Sequence, residues 1–515
     1  MIEQDNLTDK QKDYAIFLPA LSSFYSTYIG AERYPDKVKS IIGDRLPKGI
    51  PNMEAMNWLN KQEGLFPYKW SLYSAGHANM DLDTFVPKED MVRNRSADTL
   101  MVADSGGFQI AKGVWPGAWA DTKDKAAQKK REAVIKWQSG IANYGMTLDI
   151  PTWTYLDPKA SEACGIKSYQ DAVDATLFNN EFFMEARGSD LKILNVLQGS
   201  NHTEADQWYN TMKKFCSDQY DRPFEGWGMG GQNMCDLHLI LRRLVTIIHD
   251  GLLEKGQHDW MHFLGTSKLE WALLLTDIQR SVRRHHNSNF TVSFDCASPF
   301  LATANGQVYT RLRADDRGKK WSYLMEATAD RLKYAYGTDK FSDVVVRDGI
   351  HERFDDSPIS ERCTIGDICK YGVGDKNKIG TPKILAGDID IDKNGNPILD
   401  DNGNQIIRER DSTSWDSFSY ALLMGHNVWQ HIYAVQESNR LYDQGIMPAM
   451  LVNDTFTNVT IRDVIDEVFA QKDYHKSMNI LDKHSKLLDS VIGGSRGTTG
   501  KKIMNSKSQF NALFD

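Results

Sequence analysis

The chain is 515 residues long, 41% hydrophobic and 25% charged, an ordinary globular composition that supports a sizeable core in two to four domains or one large barrel with insertions. It has no run of 18 apolar residues, which excludes a transmembrane helix and a membrane partner, and its acidic, polar start (MIEQDNLTDKQKDY) is not that of a signal peptide. A net charge of −8, from 61 basic and 69 acidic side chains, argues against indiscriminate coating of nucleic acid but allows a local basic patch, and six cysteines do not make a disulfide scaffold, so a reducing cytoplasm is expected.

Residues 1–95 are mixed and aromatic-rich and read as an elaboration ahead of the main catalytic unit; in them IFLPALSSFYSTYI predicts a buried strand followed by a helix. The apolar run Leu100–Ala103 then leads into Asp104-Ser105-Gly106-Gly107-Phe108-Gln109, a strand closing on an acid, a hydroxyl and two glycines. Residues 123–144 are helical by propensity, with Ala133, Ile135, Trp137 and Ile141 as apolar contacts. YGMTLDIPTW predicts a strand ending at Asp149, followed by a helix over 168–186. LKILNVLQGS predicts a strand ending at Gln198, with a helix near 203–218. GWGMGGQNM runs into a turn at Gly230-Gly231, and LHLILRRLVTIIHDGLL is a strong helix. MHFLGTS reads as a strand, LEWALLLTDIQRSV as a helix, and FTVSFDCASP as a strand ending at Asp295.

Strand and helix alternate at least five times, which implies parallel βαβ units, and at this length the expected fold is α/β, a (β/α)8 TIM barrel spanning residues 96–345. The polar residues that close the strands would then share the C-terminal face, where such barrels place their active sites. Taken singly, these residues have plainer readings. Asp104 and Asp295 fit helix N-caps, Asp149 fits a turn before Ile150-Pro151, and Gln198 fits a loop.

Beyond the barrel, GDIDIDKNGNPILDDNGNQIIRERD carries two Asn-Gly turns and predicts an inserted β-hairpin over 380–412; the acid ligands of a calcium loop are absent. GHNVWQHIYAVQESNRL returns the chain to helix, and residues 441–515 read as a helical extension with a basic tail. GGSRGTTGKK at 493–502 fails as a phosphate loop, because Ser495 and Lys502 stand where Gly and Ser or Thr are required.

Together these stretches resemble the tRNA-guanine transglycosylase superfamily. DSGGFQ, NVLQGS, GWGMGG, HFLGT, FDCASP followed by Asn305-Gly306, and GHNVWQHIYAVQESNRL are similar to its signature elements, in order, from about residue 95 to 440. The resemblance implies base exchange through a covalent aspartyl-glycosyl intermediate, with Asp295 as nucleophile and Asp104 as general acid/base. Asp149, Gln198, Ser105 and the Gly230-Gly231 backbone would then read the guanine edge, and Phe108 would stack on the base.

The family's structural Zn2+ would sit in a subdomain over 346–440, held by Cys363, Cys369 and His426, with His351 or Asp367 completing the set. The plainer reading is two ordinary cysteines and a helix histidine. Cys164, Cys216 and Cys235 have no metal-ligand spacing.

Where the tRNA enzymes continue past the nucleophile with T-R-x-x-R-x-G, this chain reads FLATANG, without either arginine. In that respect it resembles the DNA-guanine transglycosylases of 7-deazaguanine DNA modification, found in bacteria and bacteriophages. The implied reaction is exchange of guanine in DNA for a 7-deazaguanine base such as 7-cyano-7-deazaguanine, in the host cytoplasm if the gene is a phage's. Arg311 and Arg313 are the best-placed candidates for the DNA backbone; Arg242-Arg243, Arg283-Arg284 with His285-His286, Arg317-Lys319-Lys320 and the 496–502 loop are others. The alternatives are a divergent tRNA-guanine transglycosylase of queuosine or archaeosine type, a non-catalytic nucleic-acid-binding partner, and a generic barrel glycosidase. Oligomeric state is not legible.

Overall fold

The computed structural model describes residues 7–30, 46–78, 91–199, 201–231, 236–318, 321–327, 337–344, 355–368, 417–451 and 459–491, with isolated positions between 396 and 403. The hairpin expected over 380–412 lies outside the described residues apart from those isolated positions. Cys235, Lys319, Lys320, His351, Cys369 and the 493–502 loop also lie outside them.

Eight parallel strands form one sheet: β1 (Ile16–Pro19), β2 (Trp70–Ser74), β3 (Leu100–Asp104), β4 (Tyr144–Met146), β5 (Lys192–Leu197), β6 (Gly226–Met229), β7 (Trp260–Phe263) and β8 (Thr291–Cys296). Their spatial order is β1-β8-β7-β6-β5-β4-β3-β2, so the first strand pairs with the last and the sheet curls almost shut. Helices follow most strands, among them Lys125–Ile141, Tyr169–Ala186, His202–Met212, Leu237–His249 and Leu269–His285. This is the (β/α)8 arrangement expected from the alternation. Strands β1, β2, β6 and β7 are buried along their length because both faces of a parallel sheet are covered.

The barrel starts earlier than the boundary at residue 95 implies. β1 and β2 both come from residues 1–95, so that segment builds a quarter of the sheet as well as elaborating it. Both strands are short, and β1 ends in a proline, so neither shows a long apolar run.

The seam between β1 and β2 closes by other means. A single bridge joins Ala20 to Leu72, with the Leu21 amide donating to the Leu72 carbonyl at 2.9 Å. Two side-chain hydroxyls cover β1 carbonyls there: Tyr68 Oη donates to Phe17 O at 2.6 Å and Ser71 Oγ to Pro19 O at 2.7 Å.

After β8 the chain makes an antiparallel hairpin of β9 (Gln307–Arg313) and β10 (Ser322–Ala327), then returns through the helix Ser417–Asp443, which packs against β9 and β1. Helix starts are capped as sequence chemistry requires; Asp124 accepts from the Ala127 amide at 2.9 Å and Asp236 from Leu239 at 3.1 Å.

Candidate active site at the C-terminal mouth of the barrel

The carboxyl ends of seven neighbouring strands deliver polar groups to one place. Ser74 ends β2 and Asp104 ends β3 in register with it. Asp149 follows β4, Gln198 follows β5, Gly230-Gly231 follow β6, Gly265 follows β7, and Asp295 lies on β8.

Asp104 is held by hydrogen bonds to one oxygen. Ser74 Oγ donates to Oδ2 at 2.5 Å and the Gly106 amide at 3.2 Å. Burial pushes its carboxyl above the usual range; these hydrogen bonds oppose the shift, and the charge of Asp295 adds to it. The cap reading of Asp104 does not hold, since the next helix, Gly107–Ala111, is capped by Gly106 with no side-chain bond.

Asp295 accepts two hydrogen bonds on Oδ1, from the Gly265 amide at 2.8 Å and from His262 Nε2 at 3.1 Å. It is not a cap either: the following helix, Ser298–Ala304, begins after Ala297.

Asp149 and Gln198 form a buried pair, with Gln198 Nε2 donating to Asp149 Oδ2 at 2.7 Å. Gln198 lies in the loop directly after β5, and this bond ties it to the β4 loop. Burial raises the Asp149 carboxyl to about 7, the Gln198 bond opposes that rise, and the charge of Asp104 adds to it. Three carboxylates from β3, β4 and β8 therefore sit within electrostatic reach of one another in sequence, Asp295 to Asp104 to Asp149.

Glycines let these loops converge. A Cβ on Gly107 would lie 2.2 Å from the Asp149 carbonyl, so any side chain there drives the β3 and β4 loops apart. Gly231 has φ +57°, and a Cβ there would meet the Gly199 carbonyl at 2.8 Å and the Gln198 amide at 2.7 Å.

Ser105 is fully buried, and its Oγ has no protein partner among the described residues. The Phe108 ring meets Trp153 edge-on at 5.9 Å, with Lys112 Nζ 4.3 Å from its centroid.

Sequence reasoning missed Ser74, His262, Gly265, Lys112 and Trp153. A signal existed for the first two. Ser74 ends WSLYS as Asp104 ends LMVAD, and polar residues alternate in W-M-H on β7 and S-F-D on β8.

Arg311 and Arg313 lie on β9, outside the strand-end cluster. They line a cavity of about 680 Å³ that also contains Asp315, Asp355 and Glu437, and Arg313 is bonded to Asp315 at 3.1 Å. Other basic candidates serve the scaffold. Arg242 and Arg243 both pair with Asp206, Arg284 pairs with Asp466 at 2.6 Å, and Arg283 donates to the Phe290 carbonyl.

Of the expected zinc set, Cys363 is a buried thiol, and His426 and Asp367 are engaged with protein partners. His426 is buried with both ring nitrogens engaged: Nε2 faces the Tyr309 carbonyl at 2.7 Å, so it carries the proton, and Nδ1 faces Ser357 Oγ at 2.8 Å and accepts from it. Asp367 caps its own turn, accepting from Thr364 N and Oγ1 at 2.8 Å each. Among the described residues no cluster of His, Cys, Asp and Glu is arranged to hold a metal. Nor is any helix among them long and apolar enough to cross a membrane.

Neither a protein-family model nor a curated protein matches this chain.

Proposed function

We propose that this chain is a DNA-guanine transglycosylase that exchanges guanine in DNA for a 7-deazaguanine base through a covalent aspartyl-glycosyl intermediate. The observation that carries the reading is the pairing of two differently dressed carboxylates at one barrel mouth. Asp295 has one oxygen held by two N–H donors. Asp104 is pushed towards its neutral form by burial and by the charge of Asp295. A nucleophile beside a proton donor is what displacement of a base at a sugar carbon requires.

In the first half-reaction a lone pair on the Asp295 carboxylate bonds C1′ of the target nucleoside. The C1′–N9 bond breaks, its electron pair leaves with guanine, and guanine takes a proton from Asp104. In the second half, the incoming 7-deazaguanine gives its N9 proton to the Asp104 carboxylate. Its N9 pair bonds C1′, and the C1′–O pair returns to Asp295. Asp149 and Gln198 would read the base edge as acceptor and donor, with the Ser105 hydroxyl and the Gly230-Gly231 backbone beside them. Phe108 would supply a stacking face. The absence of both arginines after FDCASP supports DNA over tRNA, with Arg311 and Arg313 as backbone contacts.

The test is incorporation of labelled guanine or 7-cyano-7-deazaguanine into duplex DNA or tRNA, with Asp295→Ala as control. Label is expected in DNA, with a covalent adduct on a denaturing gel, and neither in the variant. Label entering tRNA alone would refute the choice of nucleic acid, and exchange surviving in Asp295→Ala would refute the mechanism.

A further inference from the structure

Behind Asp295 runs a buried chain of polar side chains that the proposed reaction has not used. Trp260 and His262 are two apart on β7, and Ser293 and Asp295 are two apart on β8. Each pair therefore shares a face, and the register sets His262 opposite Ser293. Trp260 Nε1 lies 2.9 Å from Ser293 Oγ, Ser293 Oγ lies 2.8 Å from His262 Nδ1, and His262 Nε2 lies 3.1 Å from Asp295 Oδ1. His262 and Ser293 are fully buried.

The chemistry of the groups fixes every proton in this chain. An indole N–H only donates, so Ser293 accepts from Trp260. A carboxylate only accepts, so His262 Nε2 carries a proton and aims it at Asp295. The remaining ring nitrogen, Nδ1, then accepts the Ser293 hydroxyl proton. Were Nδ1 protonated too, that buried hydroxyl proton would have no acceptor among the described residues.

We infer that His262 is a positioning residue for the nucleophile, locked by Ser293 and Trp260 in the tautomer that donates to Asp295 Oδ1 and so leaves Oδ2 as the attacking oxygen. The inference rests on Asp295 being the nucleophile. The Gly265 amide converges on the same Oδ1, and among the described residues no protein donor bonds Oδ2. Once Oδ2 has bonded C1′, Oδ1 becomes the ester carbonyl and keeps both donors. When the incoming base displaces the ester, the electron pair of the C1′–Oδ2 bond returns to the carboxylate, and the His262 and Gly265 N–H groups stabilise the charge that re-forms on Oδ1. Losing the His262 donor therefore slows breakdown of the covalent intermediate more than its formation.

Three variants and one measurement on the wild-type chain test this. His262→Phe removes the donor, His262→Gln keeps an N–H within similar reach, and Ser293→Ala releases the tautomer lock. In single-turnover assays with DNA substrate, His262→Phe should lengthen the lifetime of the gel-trapped adduct roughly 10- to 100-fold, the worth of one hydrogen bond to a charged group. His262→Gln should recover most of the loss, and Ser293→Ala should fall between. A purely structural role for His262 would slow formation and breakdown alike and would not be rescued by glutamine, which overturns the inference. Independently of turnover, nitrogen NMR of the histidine-labelled full chain should show His262 protonated at Nε2 and bare at Nδ1. The opposite tautomer would overturn the inference even if every variant misfolds. Exchange that persists in Asp295→Ala would instead refute the underlying reaction.

Discussion

Replacing Asp149 with asparagine should make the protein more stable at alkaline pH. The carboxyl is buried beside Gln198 and in the field of Asp104, and its folded-state value is about 7 against an ordinary 3.8. Between those two values the native protein holds a proton that the unfolded chain has released, so stability is lost as pH rises through that window. At about 1.4 kcal/mol per pH unit, the full penalty above pH 7 is on the order of 4 kcal/mol. Asparagine cannot ionise and still offers an oxygen to Gln198 Nε2. Urea unfolding of both proteins in steps from pH 4 to 8.5 measures the difference directly, and buried groups common to both cancel. The variant should match wild type within about 1 kcal/mol at the acid end and exceed it by roughly 2–4 kcal/mol at pH 8. A difference that stays flat across the range, or reverses, would refute the account of a neutral Asp149.

Other outcomes follow from the same geometry. Gly107→Ala, with its new Cβ 2.2 Å from the Asp149 carbonyl, should cost about 1–3 kcal/mol in urea unfolding and abolish base exchange; full activity would show that the β3 and β4 loops part freely. Ser74→Ala removes a bond that favours the ionised Asp104, so the alkaline limb of the kcat/KM profile should move to higher pH, and an unmoved limb would show that Asp104 is not the group titrating. Burial lowers His426 to about 4, so the native state refuses a proton that the unfolded chain accepts between pH 6.5 and 4, and stability falls as pH drops through that range. A His426→Gln variant should lose part of this acid sensitivity, and an identical acid limb would contradict it. Because both His426 nitrogens are already bonded, dialysis against a chelator should leave Tm unchanged; a fall of several degrees that zinc restores would overturn that assignment.

The barrel was largely legible because its strands are apolar runs that stop on a polar residue, as LMVAD, KILNVLQ and VSFD do. The two strands before residue 95 were harder to place. Four residues ending in proline, and five in an aromatic-rich stretch, give too little periodicity to assign to one sheet. Asp104, Asp149, Gln198 and Asp295 could be nominated from their positions, but which side chains bond to one another could not. Ser74 lies 30 residues from Asp104, Gln198 lies 49 from Asp149, and only the β2–β3 and β4–β5 pairings bring them together. The ion pairs of Arg242 and Arg243 were hidden for the same reason, since their shared partner Asp206 sits on a different helix. His426 had the right residue type for a ligand, and its occupied nitrogens become visible only once Tyr309 and Ser357 are folded against it.

The β1–β2 seam lies between the two halves of the strand-end cluster. Ser74 and Asp104 ride on β2 and β3, whereas His262 and Asp295 ride on β7 and β8, which β1 extends. The seam has one backbone bridge where the other joints have ladders, so fewer backbone hydrogen bonds must break to open it. Hydrogen exchange should be faster at the Leu21 amide than along the β5–β6 ladder, and a base seated between Asp104 and Asp295 should slow it by bridging the two sides. A joint made by one bridge and two side-chain hydroxyls thus stands between the strand ends that carry Asp104 and Asp295.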